Sequence, residues 1–173
     1  MPQTVLSFPD EQRVVTRLIE NVPLFRRFSQ QDVLGFMGRA TRQEFLATEP
    51  LIAEGSLGQH MYILLDGQVE ISKRGLRGEQ QRLAILGPGE CFGEMALIEE
   101  DLRSANVDAL SAGRLLKVNI QTLEANPQFA ARFYRNLARV LSERLRQTDE
   151  RLSIVLSSTG QGTQSAFRSQ RTH

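Results

Sequence analysis

The sequence is poor in the side chains that most often hold metals or form cross-links. Its 173 residues include one cysteine, two histidines and no tryptophan. A single cysteine, Cys91, excludes an internal disulfide framework and a thiolate metal cluster. Two histidines, of which His173 is the last residue, argue against a histidine-based metal site. We therefore expect no metal, no resident cofactor and no catalytic residues of a metalloenzyme.

Excess charge and long apolar runs are also lacking. The 21 Lys and Arg residues against 20 Asp and Glu leave a formal net charge of +1, which argues against a nucleic-acid-binding surface. No run approaches the ~18–20 apolar residues of a membrane span, and residues 1–6 lack the pattern of a signal peptide. With 40% hydrophobic and 24% charged residues, the composition is that of a globular domain. The expectation is one cytoplasmic domain without membrane or direct nucleic-acid contacts.

Residues 10–40 are predicted to be helical. Apolar side chains recur there at helical spacing: Val14, Val15, Leu18, Ile19 and Val22. Pro23 interrupts the pattern, and Ser29 with Asp32 three residues later is typical of a second helix start.

Residues 41–118 change to short strand-length runs separated by glycine-rich turns. The predicted strands are 43–47, 51–54, 60–65, 68–73, 82–86, 105–110 and 114–118. Their spacing leaves no room for crossover helices, so an antiparallel sandwich, roll or barrel is expected. Asp66-Gly67 is a two-residue hairpin signal between two of these runs.

A long helix is predicted over residues 126–156, with Asn126 as N-cap and Pro127 in the first turn. One stripe of positions along it alternates by four and three residues, and all but Thr148 are apolar: Leu141, Leu145, Thr148, Leu152 and Val155. At roughly 40 Å the helix exceeds what a small sheet covers, so we expect helix-paired dimerisation. The alternative is a helix folded wholly onto its own sheet. Residues 157–173 are expected to form a flexible tail.

The densest cluster of turn and charged residues lies between Gly87 and Val107. Gly93 lies where the backbone can approach another group closely. Glu94 begins about one helical turn, whose free amides favour an anion. Arg103 can hold a phosphate bidentately while the Ser104 hydroxyl donates. Glu94 suits a neutral hydroxyl, so the set fits a phosphate-plus-sugar ligand. Alternatively, Glu94 only charges a helix start and Arg103 pairs with nearby acidic residues.

The segment 92–97, followed by Arg103-Ser104-Ala105, resembles the phosphate-binding cassette of the cyclic nucleotide-binding domain family. Segments 54–58, 61–69 and 21–25 resemble that family's glycine turns, strand pairs and helical lead-in. The resemblance covers about residues 15–155. It implies an α+β, mainly β fold, a jelly-roll-like antiparallel β-roll flanked by N-terminal helices and a long C-terminal dimerisation helix. The domain would extend over residues 1–156 and bind cAMP or cGMP as a ligand.

The resemblance also implies roles for individual residues. Glu94 would accept the ribose 2′-OH, and Arg103 would hold the cyclic phosphate. The long helix resembles that of the bacterial cAMP receptors in this family, where a hydroxyl pair contacts adenine across the dimer. The full set of expected ligand-binding positions is Gly93, Glu94, Met95, Ala96, Arg103, Ser104, Leu83, Ala84, Arg144, Thr148 and Asp149.

Three departures from the family pattern affect the functional hypothesis. The cassette loop 99–102 lacks the usual glycine or proline. Asp149 replaces a serine and would suit guanine better than adenine, although cAMP remains the favoured ligand. Nothing after Val155 resembles a helix-turn-helix module.

The resulting hypothesis is a stand-alone homodimeric receptor that changes shape and signals to a protein partner. The alternatives are a ligand-free interaction module and the sensor part of a transcription regulator.

Overall fold

The computed structural model describes residues 8–75, 77–99 and 102–168. Two helices come first, α1 (Phe8–Asn21) and α2 (Gln30–Met37), with a 3-10 turn between them. The Ser29 hydroxyl accepts the Asp32 amide at 3.1 Å, and the Asp32 carboxylate accepts the Ser29 amide at 3.2 Å. This reciprocal pair satisfies two of the amides that a helix start leaves open, which confirms the predicted beginning of α2.

Eight antiparallel strands follow and form two four-stranded sheets. Their bounds are β1 (Thr41–Phe45), β2 (Pro50–Ile52), β3 (His60–Asp66), β4 (Val69–Arg74), β5 (Gln80–Leu86), β6 (Cys91–Phe92), β7 (Asn106–Ala109) and β8 (Gly113–Asn119). The strand orders are β1-β8-β3-β6 and β2-β7-β4-β5. The expected antiparallel β-roll flanked by helices is confirmed. Strand β6 was not predicted because two residues are too few to show a periodicity.

The turn at Asp66-Gly67 differs from the prediction. Strand β3 pairs with β6 and β8, whereas β4 pairs with β5 and β7, so the turn joins two different sheets. Only Gly67 of the two has a positive φ, of +83°. The predicted hairpin is wrong because a short turn between two apolar runs can also carry the chain across to the facing sheet.

Strand β3 lies between two apolar cores. Met61 and Ile63 pack into the core formed with the helices, while Tyr62 and Leu64 pack into the core between the sheets. Alternate side chains of a strand point to opposite faces, so a strand covered on both faces reads as a continuous apolar run. Burial of each such side chain contributes about 1.5–3 kcal/mol, so packing on both faces holds β3 in place.

Helices α3 (Glu94–Glu99), α4 (Ile120–Glu124) and α5 (Pro127–Arg168) complete the fold. The Asn126 side chain accepts the amides of Gln128 and Phe129, both at 3.1 Å, so Asn126 caps α5 as predicted. The helix extends past the predicted end at 156. Residues 157–168, expected to be tail, continue it, because no proline follows Pro127 and each added residue gains a backbone hydrogen bond. Residues 169–173 lie outside the described residues.

Helix α5 packs on the domain only over its first part. Phe129, Phe133 and Leu137 are buried, whereas Leu145 and Leu152 are 62% and 55% exposed. The apolar stripe predicted for this helix therefore leaves the sheet after the first turns. The alternative of a helix lying wholly on its own sheet is wrong.

A buried polar anchor holds the packed part of α5. The Asn136 side-chain amide donates to the carbonyls of Leu24 and Arg26, both at 2.9 Å. Its carbonyl oxygen accepts from Arg139 at 3.2 Å. Because the accepting carbonyls belong to the 3-10 turn region, Asn136 ties the long helix to the N-terminal helices.

Candidate functional site

The two sheets, β6 and α3 enclose an open cleft of about 350 Å³. Apolar side chains form its floor, and a small number of polar groups converge at one end. Its lining residues are Ile52, Ile71, Lys73, Leu83, Phe92, Gly93, Glu94, Met95, Arg103, Ser104, Ala105 and Val107. This combination of an apolar floor and a few convergent polar groups is typical of a small-molecule site.

A larger concavity of about 440 Å³ lies at the β4–β5 turn, lined by Arg74, Gly75, Arg77, Glu79 and Gln81. It contains none of the predicted site residues. Exposed side chains of one turn form it, and it has no apolar floor, so the smaller cleft is the better candidate site.

The cleft brings together most of the predicted cassette. Strand β6 ends at Phe92, and Gly93 turns the chain with a φ of +74° into α3, which begins at Glu94. A Cβ on Gly93 would lie 2.5 Å from the Arg103 Nη1 atom. Gly93 therefore meets two requirements at once, the left-handed backbone and the close approach of the arginine.

Arg103 is the buried cation of the site, with only 6% of its surface exposed. Its Nη1 atom donates to the Gly93 carbonyl at 2.8 Å, and Nη2 donates to the His60 carbonyl at 2.7 Å. Its guanidinium also lies 5.9 Å from the Tyr62 ring centroid. A Cβ on Gly58 would lie only 2.0 Å from the Arg103 Nε atom, so this glycine too makes room for the side chain.

Arg103 has no carboxylate partner among the described residues. The alternative partners Glu99, Glu100 and Asp101 lie outside the described side chains, and both described bonds of Arg103 go to neutral carbonyls. Burial lowers the pKa of Arg103 from its ordinary value, while the charge of Glu94 opposes that shift. A guanidinium remains charged in proteins even when it is buried, because it is a very weak acid. The result is a positive group in the cleft without a bonded negative charge.

Glu94 links the cleft to α5. It is 6% exposed, and its Oε1 atom accepts from Arg144 Nη1 at 3.0 Å. Arg144 also donates from Nη2 to the Cys91 carbonyl at 2.6 Å. A single arginine of the long helix therefore bonds both to the carboxylate that begins α3 and to the strand before it.

Ser104 and Met95 lie at the mouth of the cleft. Both are exposed, and the Ser104 hydroxyl lies 3.7 Å from the Met95 sulfur. A thioether sulfur is a weak acceptor. The Ser104 hydroxyl can therefore turn to a better partner at small energetic cost.

Leu83 reaches the cleft because of a β-bulge. The β4–β5 register pairs Ile71 with Ala84 but Ser72 with Arg82, so Leu83 is the extra residue. A bulge redirects side chains from the simple alternation of a strand. Leu83 thus lines the cleft, whereas Ala84 packs against the core between the sheets and is not among the lining residues.

The structure does not bring the remaining predicted residues into the cleft of this chain. Thr148 and Asp149 are exposed on α5, and the Thr148 hydroxyl donates to the Arg144 carbonyl at 2.9 Å. Arg144 contacts Glu94 but does not line the cleft. The backbone of Ala96 lies in α3, and its side chain is outside the described residues.

Sequence reasoning missed much of the cleft floor and Lys73. Ile71 and Lys73 are alternate residues of β4, and Ala105 and Val107 flank Asn106, the first residue of β7. Strand alternation could have identified these pairs once the inward face was known. Which face points inward depends on the pairing of the two sheets.

Other site classes find no support in the described part of the chain. No group of three or more His, Cys, Asp or Glu side chains is placed to hold a metal. Among these residues no helix is long and apolar enough to cross a membrane. Burial raises the pKa of the Cys91 thiol to about 12, with the charge of Glu94 adding to the shift.

The fold is an antiparallel β-roll flanked by helices, with a cassette of glycine, glutamate and arginine around one cleft. Residues 42–125 match the family model of the cyclic nucleotide-binding domain, so this part of the chain is such a domain, and the resemblance seen in the sequence is confirmed.

The chain is also similar to regulatory proteins that contain this domain. It is 33% identical over 133 residues to the Cyclic AMP receptor protein of Thermus thermophilus, across 77% of this chain and 62% of that protein. A crystal structure of the Thermus thermophilus catabolite activator protein matches with a TM-score of 0.70 at 33% identity, again over 77% and 62%. The regulatory domain of Toxoplasma gondii PKA, solved with cAMP, matches with a TM-score of 0.62 at 28% identity, over 69% and 46%. The chain thus spans less than two thirds of each of these proteins.

Proposed function

We propose that this domain binds a cyclic mononucleotide as a regulatory ligand, with cAMP preferred to cGMP, and performs no reaction on it. The observation that carries the proposal is Arg103, a buried cation in the cleft to which no carboxylate of the described residues is bonded. Burying a charge without an opposite charge is costly, so such a group is best explained by an anionic ligand.

The phosphate would bind at Arg103 and Ser104. A guanidinium has five N–H donors, of which two serve the carbonyls of Gly93 and His60. The remaining donors are available to a phosphate without breaking either bond. The Ser104 hydroxyl would leave the Met95 sulfur, and the backbone near Ala96 would add amide donors, as in the family pattern.

The sugar and base would occupy the rest of the cleft. One oxygen of Glu94 is taken by Arg144, and the other makes no hydrogen bond within the described residues, so it can accept a ribose 2′-OH. Ile52, Leu83 and Val107 offer an apolar surface to the base. Such contacts fit a compact ligand with one phosphate, one sugar and one aromatic base.

The response would pass through α5. Because Arg144 joins Glu94 to this helix, a ligand at Glu94 alters the contact that holds the helix against the cassette. The exposed Leu145 and Leu152 would pair with a second copy. In the homodimer, Thr148 and Asp149 of one copy would face the base bound by the other. A protein partner would read the position of the helices.

The choice between adenine and guanine depends on the similar proteins and on Asp149. cAMP is favoured because it is the nucleotide named for the similar receptor and bound in the similar regulatory domain. The Asp149 carboxylate only accepts hydrogen bonds and would suit guanine N1–H and its amine. A competition titration of cAMP and cGMP decides the preference. If Asp149→Ser leaves the affinity ratio unchanged, Asp149 does not contact the base.

Isothermal titration calorimetry with each nucleotide tests the main proposal. We expect binding by the wild-type protein and at least about 100-fold weaker binding by Arg103→Gln, because charge-assisted hydrogen bonds contribute about 1.5–3 kcal/mol each. Arg114→Gln is the matched control, since Arg114 pairs with Asp66 at an exposed position outside the cleft. No heat with either nucleotide would favour the ligand-free interaction module. Equal affinities of wild type and Arg103→Gln would refute the assigned phosphate site.

A further inference from the structure

Strand β4 presents one cation to the cleft. Val69, Ile71 and Lys73 alternate along the strand and are buried, half-buried and exposed, respectively. Val69 is buried in the core between the sheets, Ile71 packs against that core, and Ile71 and Lys73 both line the cleft. Packing explains Val69 and Ile71, but the ammonium of Lys73 gains nothing from the apolar floor of the cleft.

The strand register places Lys73 close to the phosphate end of the cleft. Strands β4 and β7 pair Ile71 with Val107 and Ser72 with Asn106. Continuing this register by one residue sets Lys73 beside Ala105, which also lines the cleft. Ala105 follows Ser104 and Arg103, and all three line the cleft with Lys73. A flexible lysine stem can therefore reach a ligand that Arg103 holds.

The ammonium of Lys73 has no hydrogen bond or ion pair within the described residues. Carboxylates in its neighbourhood are otherwise engaged. Glu70, on the same strand, pairs with Arg82, and Glu54 accepts the backbone amide of Arg74. Glu94, the carboxylate of the cleft, pairs with Arg144. The cleft therefore holds two cations, Arg103 and Lys73, against one carboxylate that already has a partner.

We propose that Lys73 is a second cationic contact for the ligand phosphate, beside Arg103. This inference rests on the proposed function, and it adds a residue that the family resemblance does not supply. Arg103 would hold the phosphate at fixed geometry, whereas Lys73 would act as a mobile point charge from the neighbouring strand β4.

The lysine content of the chain allows a direct footprint. Lys73 and Lys117 are its only lysines. Lys117 lies on β8, pairs with Thr41 and Tyr62, and does not line the cleft. Limited acetylation followed by mass spectrometry should show Lys73 protected by saturating cAMP and Lys117 unchanged. Equal modification of Lys73 with and without bound cAMP would overturn the proposal.

Affinity measurements distinguish a phosphate contact from other roles. Lys73→Gln should weaken cAMP and cGMP equally, by about fivefold, since both carry the same phosphate and the charge is partly screened by water. Lys73→Arg should restore most of the affinity, and Lys73→Gln should bind with a weaker salt dependence than wild type. Lys117→Gln is the control variant.

Three results contradict the proposal in different ways. If Lys73→Gln binds as tightly as the wild-type protein, Lys73 does not contact the phosphate, and the proposed function still stands. A loss confined to one nucleotide assigns Lys73 to the base. If the wild-type protein binds neither nucleotide, the proposed function fails, and the role of Lys73 fails with it.

Discussion

The ion pair between Glu94 and Arg144 predicts that Glu94→Gln changes stability in opposite directions with and without Arg144. Arg144→Met removes the cation but keeps much of the side-chain volume. It leaves Glu94, 6% exposed, as a charge without its partner, and it leaves the Cys91 carbonyl without its donor. Breaking a buried pair costs about 3–5 kcal/mol. Because the Arg144 side chain is 28% exposed, we expect the lower end, about 3 kcal/mol.

The companion substitution is Glu94→Gln, which keeps the shape and removes the charge. In the wild-type background it should destabilise the protein by about 1 kcal/mol, since a charge-assisted bond becomes a neutral one. In the Arg144→Met background it should instead stabilise by about 1 kcal/mol, because it removes an uncompensated buried charge. The double-mutant cycle therefore predicts a coupling of about 2 kcal/mol.

Urea unfolding of the four proteins, followed by circular dichroism without nucleotide, measures this coupling. All four must be compared at one protein concentration, because the proposed dimerisation would make the apparent stability depend on it. The control cycle uses Arg146 and Glu143, an i,i+3 pair on the same helix with side chains 63% and 56% exposed. It should give less than about 0.5 kcal/mol. If Glu94→Gln costs the same in both Arg144 backgrounds, the pair does not hold α5 to the cassette.

Three further predictions concern α5 and the core. Leu152→Glu should convert the proposed dimer to a monomer in sedimentation velocity, whereas Ser153→Glu should not; a dimer that survives Leu152→Glu would contradict pairing through this stripe. Asn136→Ala should lower the free energy of unfolding by about 2 kcal/mol, because the carbonyls of two residues lose their donor, and a cost near zero would contradict the anchor. Cys91, with its pKa raised to about 12, should resist iodoacetamide at pH 8 when folded and react in urea; rapid native alkylation would show that the thiol is accessible.

Local signals predicted the elements of this fold well. The Ser29–Asp32 pair and Asn126 each specify a helix start by satisfying free amides, and those bonds form with neighbouring residues. The strand runs between 43 and 118 were visible because alternation and glycine turns are also local. The cassette was visible because Gly93, Glu94 and Arg103 lie within eleven residues.

Features that depend on pairing between distant segments were not predictable. The crossing at Asp66-Gly67 depends on which sheet each flanking strand joins. The inward position of Leu83 depends on a bulge opposite Ile71, and that of Lys73 on the register between β4 and β7. Each of these is set by long-range strand pairing, for which a single sequence carries no local signal.

The two arginines of the site differ in how each can serve a regulatory ligand. Arg103 is held by two carbonyls of the protein, and Gly58 and Gly93 leave space for it, so the fold itself fixes its geometry. Under the proposed function it would supply affinity at little cost in ordering. It would supply little conformational bias, because a ligand shifts two states only by binding one of them more tightly. Arg144 differs because it contacts Glu94 and the Cys91 carbonyl from the point on α5 where apolar packing on the domain ends. The contact that can favour one conformation of the protein over the other is therefore the one at Glu94. We expect substitutions of Arg103 to change the nucleotide affinity, and substitutions of Arg144 to change how far bound nucleotide alters the position of α5.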